Sequence, residues 1–182
     1  MSLPPKPSGE ARRALLSLHA RIETFWDRVV RVLGDAVGCR PGCDACCGQV
    51  LSLRPVEAAY LWEGARELPR AAREVVRRNL GTGTSGCPLL HAGICLSYGH
   101  RPVVCRTHGL LLLRREGGRA VLHHCPENFQ GLAGVDVPGT LVLEEERLGL
   151  LADAVDGLYR RETGWPEGRI PLDRMLRQGL GP

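Results

Sequence analysis

The chain has 182 residues, enough for one domain with a substantial core, and no internal repeat or long linker argues for a second. Its net charge is only +4, its arginines are interspersed with acids and aromatics make up 4% of it, which argues against a surface that stacks and neutralises nucleic acid. No apolar run approaches the ~18 residues needed to span a bilayer and the N-terminus has no signal-like apolar core, so a cytoplasmic protein without a membrane partner is expected.

In chain order, residues 1–9 carry three prolines and predict a disordered arm, followed by a single domain over 10–182 whose first helix is capped at Ser8 or Gly9. From Glu10 to about Val37, Leu15, Leu18, Ile22, Phe25, Trp26, Val29 and Leu33 recur at three- and four-residue steps, the pattern of a long amphipathic helix packing on a core, which Gly38 ends. Gln49–Leu53 reads as a short strand, Pro55 to Leu68 as a second helix, and Pro69 to Leu80 as a third. The third helix puts Arg70, Arg73, Arg77 and Arg78 on a solvated side.

Gly81–Gly86 is a glycine-rich loop, but it contains no lysine and so is not a phosphate-binding loop. Ala92-Gly93 predicts a hairpin carrying Cys87 on one arm and Cys95 on the other. Arg101-Pro102 starts a helical turn that brings in Cys105. Glu116-Gly-Gly118 marks a second hairpin, whose return strand ends at Cys125. Thr140 to Thr163 reads as an amphipathic helix stopped by Gly164, and Pro171 to Gln178 as a last short one. The expected fold class is mainly α with small β hairpins, an α+β arrangement in which helices support a loop-rich cysteine core.

Eight cysteines fall on this frame, four of them within Cys39-Arg-Pro-Gly-Cys43-Asp-Ala-Cys46-Cys47. Such spacing lets thiolates of one loop converge on a metal, with Pro41 and Gly42 supplying the turn, and Cys87, Cys95, Cys105 and Cys125 following from later loops. In a reducing cytosol the cysteines favour metal ligation over a disulfide scaffold, and the adjacent pair Cys46 and Cys47 suits bridging poorly. Four thiolates make a closed zinc site and eight make two, while a four-cysteine iron–sulfur cluster is equally compatible. Thiolates accumulate negative charge, so Arg101 and Arg106, and then Arg40, are candidates to donate hydrogen bonds to sulfur. His91, His100, His108, His123 and His124 lie near the later cysteines, where surface or supporting roles are expected rather than ligation.

The ordered set Cys39-x3-Cys43-x2-Cys46-Cys47, Cys87-Pro-Leu-Leu with Cys95-Leu-Ser-Tyr98, and Arg101-Pro-x-x-Cys105-Arg106 resembles the CxxCxxCC family, the YkgJ-like cysteine-cluster domains that chelate zinc or iron. The resemblance covers roughly residues 39 to 125. It implies the seven cysteines from Cys39 to Cys105 as metal ligands, with Cys125 the downstream member of the set. Some larger members look like protein lysine methylases, but this sequence shows no methyl-donor pocket.

Cys39-x3-Cys43-x2-Cys46 also matches the spacing of radical S-adenosylmethionine enzymes. Ala45 stands where those usually carry an aromatic, and the alternating strand–helix pattern of their barrel is missing. There is no H-E-x-x-H helix and no G-x-S-x-G elbow. A Cys105 nucleophile with His108 as base would leave the other cysteines unexplained. The expected function is binding of iron, as an iron–sulfur cluster, or of zinc. The alternatives are an iron–sulfur-dependent enzyme of protein-methylase type and a structural zinc module, with room for a protein partner that the sequence does not specify.

Overall fold

The computed structural model describes residues 2–40, 42–49, 51–82, 86–130 and 137–181. Helix α1 (Gly9–Leu33) buries Leu15, Leu18, Ile22 and Val29, the stripe the periodicity predicts. It stops earlier than expected, because Gly34 adopts φ +44° and a short 3-10 turn, Gly34–Ala36, follows. Ser8 makes no side-chain cap. Instead Glu162, from the other end of the chain, accepts hydrogen bonds from the backbone N–H of Glu10 and Ala11 at 2.9 and 3.0 Å. Residues 2–8 are extended and docked: the Pro5 carbonyl accepts a hydrogen bond from the Tyr159 hydroxyl, and Lys6 pairs with Glu63 at 2.7 Å.

Strand β1 (Ser52–Leu53) is shorter than the expected stretch, whose Val50 lies outside the described residues. Helix α2 (Pro55–Arg66) is the central element, buried along nearly its whole length between two apolar clusters. Val56, Ala59 and Tyr60 face the first, with α1. Ala58, Leu61 and Ala65 face the second, with Val76 and Leu80 of α3 (Arg70–Gly81). Burial on all sides explains why α2 is apolar without a clear amphipathic stripe. Two glutamates on it are buried and each holds a neighbour. Glu57 accepts from the Val103 N–H at 2.7 Å, and Glu63 pairs with Arg12 at 2.6 Å.

Strands β2 (Leu90–His91) and β3 (Ile94–Cys95) form the first expected hairpin, turned by Ala92 and Gly93 at φ +49° and +76°. Cys87 precedes β2 rather than lying on its arm. A 3-10 turn, Tyr98–His100, leads into α4 (Val103–Thr107), which carries Cys105. Strands β4 (Leu111–Glu116) and β5 (Arg119–His123) pair antiparallel around Gly117-Gly118, as the sequence predicts.

Beyond residues 131–136, which lie outside the described set, β6 (Val142–Glu144) pairs parallel with β4, Leu111 facing Val142. The helix expected from Thr140 therefore begins later, as α5 (Glu145–Thr163), and ends at left-handed Gly164. Strand β7 (Ile170–Pro171) pairs with β1, and α6 (Leu172–Leu180) closes the second cluster. The molecule is mainly α with small two- and three-stranded sheets, the class expected. Among the described residues no helix is long and apolar enough to cross a membrane.

Candidate metal centre

The four clustered cysteines occupy a loop followed by a 3-10 turn, Ala45–Gly48, that carries Cys46 and Cys47. Gly42 has φ +92°, a conformation that suits glycine, while Pro41 lies outside the described residues. Four contacts place this loop. The Phe129 N–H bonds the Ala36 carbonyl at 2.6 Å, and a Cβ at Gly38 would stand 2.2 Å from the Glu127 carbonyl oxygen, so only glycine lets the start of the loop lie flush against the turn after Cys125. The Cys87 N–H donates to the Cys47 carbonyl at 2.7 Å. Gly42 lies against Gly93, the turn of the β2–β3 hairpin.

The eight cysteines are spread over five segments and all are free thiols; the contacts above set the Cys39–Cys47 loop against those bearing Cys87, Cys95 and Cys125. Burial raises the Cys39 thiol, with further repulsion from Cys43, Cys46 and Cys125. Burial likewise raises Cys47, with repulsion from Cys46, Cys87 and Cys95, and Cys105, with repulsion from Cys87, Cys46, Cys95 and Cys47. The mutual influence runs unbroken from Cys39 to Cys105 through Cys46. Among the described residues, however, no group of three or more His, Cys, Asp or Glu side chains stands in metal-holding geometry. The chemistry of the donor set, eight free thiols, fits a thiophilic metal.

The candidate arginines have different roles. The Arg101 guanidinium lies over the Tyr98 ring, 3.4 Å from its centroid, and its charge favours the thiolates of Cys95 and Cys39. Arg106 is buried and its guanidinium is already engaged, by Glu23 and by the Gly99 and Arg101 carbonyls. Trp26 of α1 bonds the Arg106 carbonyl, so α1 grips this residue at both backbone and side chain. Arg106 braces the segment between Cys95 and Cys105. Arg40 is exposed beside Cys39.

His100 packs on Tyr60, and His124 Nδ1 sits 2.9 Å from the Cys125 carbonyl oxygen. A cleft of about 530 Å³ opens beside the cysteine loop, lined by Cys43, Gly38, Gly42, Arg40, Asp35 and Glu127 among others. Neither this cleft nor the bracing by Glu23, Trp26 and Glu57 has a local sequence signal. Gly64, in the middle of an apolar helix, does have one: a Cβ there would meet His100 at 2.4 Å, so glycine admits the 97–100 segment against α2. No family model, curated protein or solved structure matches this chain.

Proposed function

We propose that this protein is a cysteine-cluster metal-binding protein of the CxxCxxCC type, which holds iron, as an iron–sulfur cluster, through its thiolates. Zinc is the alternative that the same donors accept. The observation that carries the reading is that hydrogen bonds and close glycine approaches set the loop of Cys39–Cys47 against the segments bearing Cys87, Cys95 and Cys125, with all eight thiols free. Surface or structural cysteines have no reason to converge in this way, whereas a thiolate site requires it. Bound iron–sulfur would supply one-electron chemistry, and bound zinc a closed structural centre.

The chain's own residues bring the donors together and limit their charge. Gly38 and Gly42 let the loop approach the 125–129 turn and the hairpin, Arg106 and Glu57 fix the segment bearing Cys105, and Arg101 offsets negative charge near Cys95 and Cys39. The test is iron, zinc and acid-labile sulfide content, with a visible spectrum, on untagged protein purified without oxygen. Brown protein with iron and sulfide in comparable amounts is expected, and Cys46→Ser lowers both. Zinc without sulfide would replace the iron–sulfur assignment, and protein with neither metal in stoichiometric amount would overturn the reading.

A further inference from the structure

Helix α5 packs on one side only. Ala152, Val155, Asp156 and Tyr159 are buried, with α1 and α2 as neighbours, and opposite them along the helix run Glu146, Leu150, Ala154, Gly157 and Arg161. Leu150, in the middle of that outer face, is 65% exposed, more than any other large apolar side chain described, and Leu151 flanks it. One exposed leucine is ordinary on a protein surface. The charges around this one are not.

Most charged side chains of α5 are engaged within the chain. Glu145 pairs with Arg114, Asp153 with Arg54, and Arg160 with Asp156 and Glu167, while Glu162 accepts from the first turn of α1. Glu146, Arg147 and Arg161 have no ion pair among the described residues. Glu146 and Arg161 stand at the two ends of the outer face, about 22 Å apart at ~1.5 Å per residue, too far to reach each other.

This face is complementary to itself. When a second α5 runs antiparallel across it, about a two-fold axis level with Asp153 and Ala154, Glu146 of each copy meets Arg161 of the other. About the same axis, each Leu150 comes level with Gly157 of the other copy, where no side chain stands in its way. Arg147 comes level with Arg160 of the other copy, whose charge Asp156 and Glu167 already offset. Antiparallel helices also bring opposite dipole ends together.

We infer that α5 is a homodimer interface, on which a second copy of this chain docks antiparallel with Leu150 at its centre and Glu146–Arg161 ion pairs at both ends. It uses none of the cysteines and so does not depend on the metal-binding reading. One helix pair buries an area at the low end of specific interfaces, which gives a reversible dimer in the micromolar range.

Sedimentation equilibrium of the full chain, in reducing buffer at low salt and across that concentration range, is the test, and a monomer–dimer equilibrium is expected. Leu150→Asp, at a position the fold leaves in solvent, gives a monomer with an unchanged far-UV helical signal. Glu146→Arg or Arg161→Glu alone weakens the dimer about tenfold, because symmetry makes each substitution turn two attractive pairs repulsive. The two together restore the dimer to within about twofold of the unsubstituted chain. A monomer at every concentration, an assembly larger than a dimer, a dimer indifferent to Leu150→Asp, or a double variant no tighter than the single ones would overturn the interface.

Discussion

His19 is 5% exposed, and neither of its ring nitrogens has a hydrogen-bond partner among the described residues. Its ring lies 5.6 Å from that of Tyr60. Burial, and then the positive charges of Arg106, Arg101 and His100, hold its pKa down at about 3. An unfolded histidine protonates near 6.5, so between these values the unfolded chain binds the extra proton. The contribution is therefore fully present above pH ~6.5 and is lost as pH falls towards 3, at about 1.4 kcal/mol per unit. Denaturant unfolding is expected to show a loss of about 2 kcal/mol from pH 6.5 to 5, before most carboxylates titrate. His19→Leu should flatten that slope and leave metal content unchanged; an unaltered slope in the variant would show that other groups carry it. Nothing in the sequence signals the isolation of His19, because its surroundings come from α2 and the 97–106 segment. The eight thiols were legible as a set, since spacing within a loop is local. The elements that meet the cysteine loop were not, since they depend on which turns Gly38 and Cys47 touch.

At the scale of elements, the two ends of the chain hold each other. Glu162, in the last turn of α5, caps α1, and Tyr159 one turn earlier binds the arm at Pro5. The first turn of a helix leaves N–H groups unpaired, and supplying an acceptor for them contributes about 1 kcal/mol. Glu162→Ala should lower stability by about that amount in urea denaturation, whereas Ser8→Ala, at the position the sequence favours as cap, should change it little. The reverse ranking would return the cap to Ser8. This contrast reflects a wider division. The α1 stripe and the Ala92-Gly93 and Gly117-Gly118 turns were readable because period and turn chemistry are written into neighbouring residues. Strands β6 and β7 have three and two residues, too few for a period, and exist only through partners more than twenty residues away, whereas β1 lies within the stretch read as a strand.

At the scale of the molecule, most of the apolar packing is made without the cysteines. Both apolar clusters are built from Leu, Val, Ala, Ile, Met and aromatic side chains; Cys125 is the only cysteine among the buried apolar residues described, with Cys87 and Cys95 partly buried against the second cluster. Helix α2 joins the clusters, and its Glu57 holds the start of α4 whatever occupies the thiols. The cysteine loop, by contrast, meets the rest of the fold, among the described residues, through backbone contacts: the Ala36–Phe129 and Cys47–Cys87 hydrogen bonds and the glycine approaches at positions 38, 86 and 93. Burial of apolar surface, the dominant favourable contribution to folding, therefore does not depend on metal. Stripping metal should leave the far-UV helical signal largely intact. It should also lower the thermal midpoint by the binding free energy removed, and accelerate amide exchange in residues 39–49, 87–107 and 125–129 ahead of α1, α2 and α5. If chelation instead collapsed the helical signal in one cooperative step, the cysteine cluster would be the nucleus of the fold, and the apolar clusters around α2 too weak to stand without it.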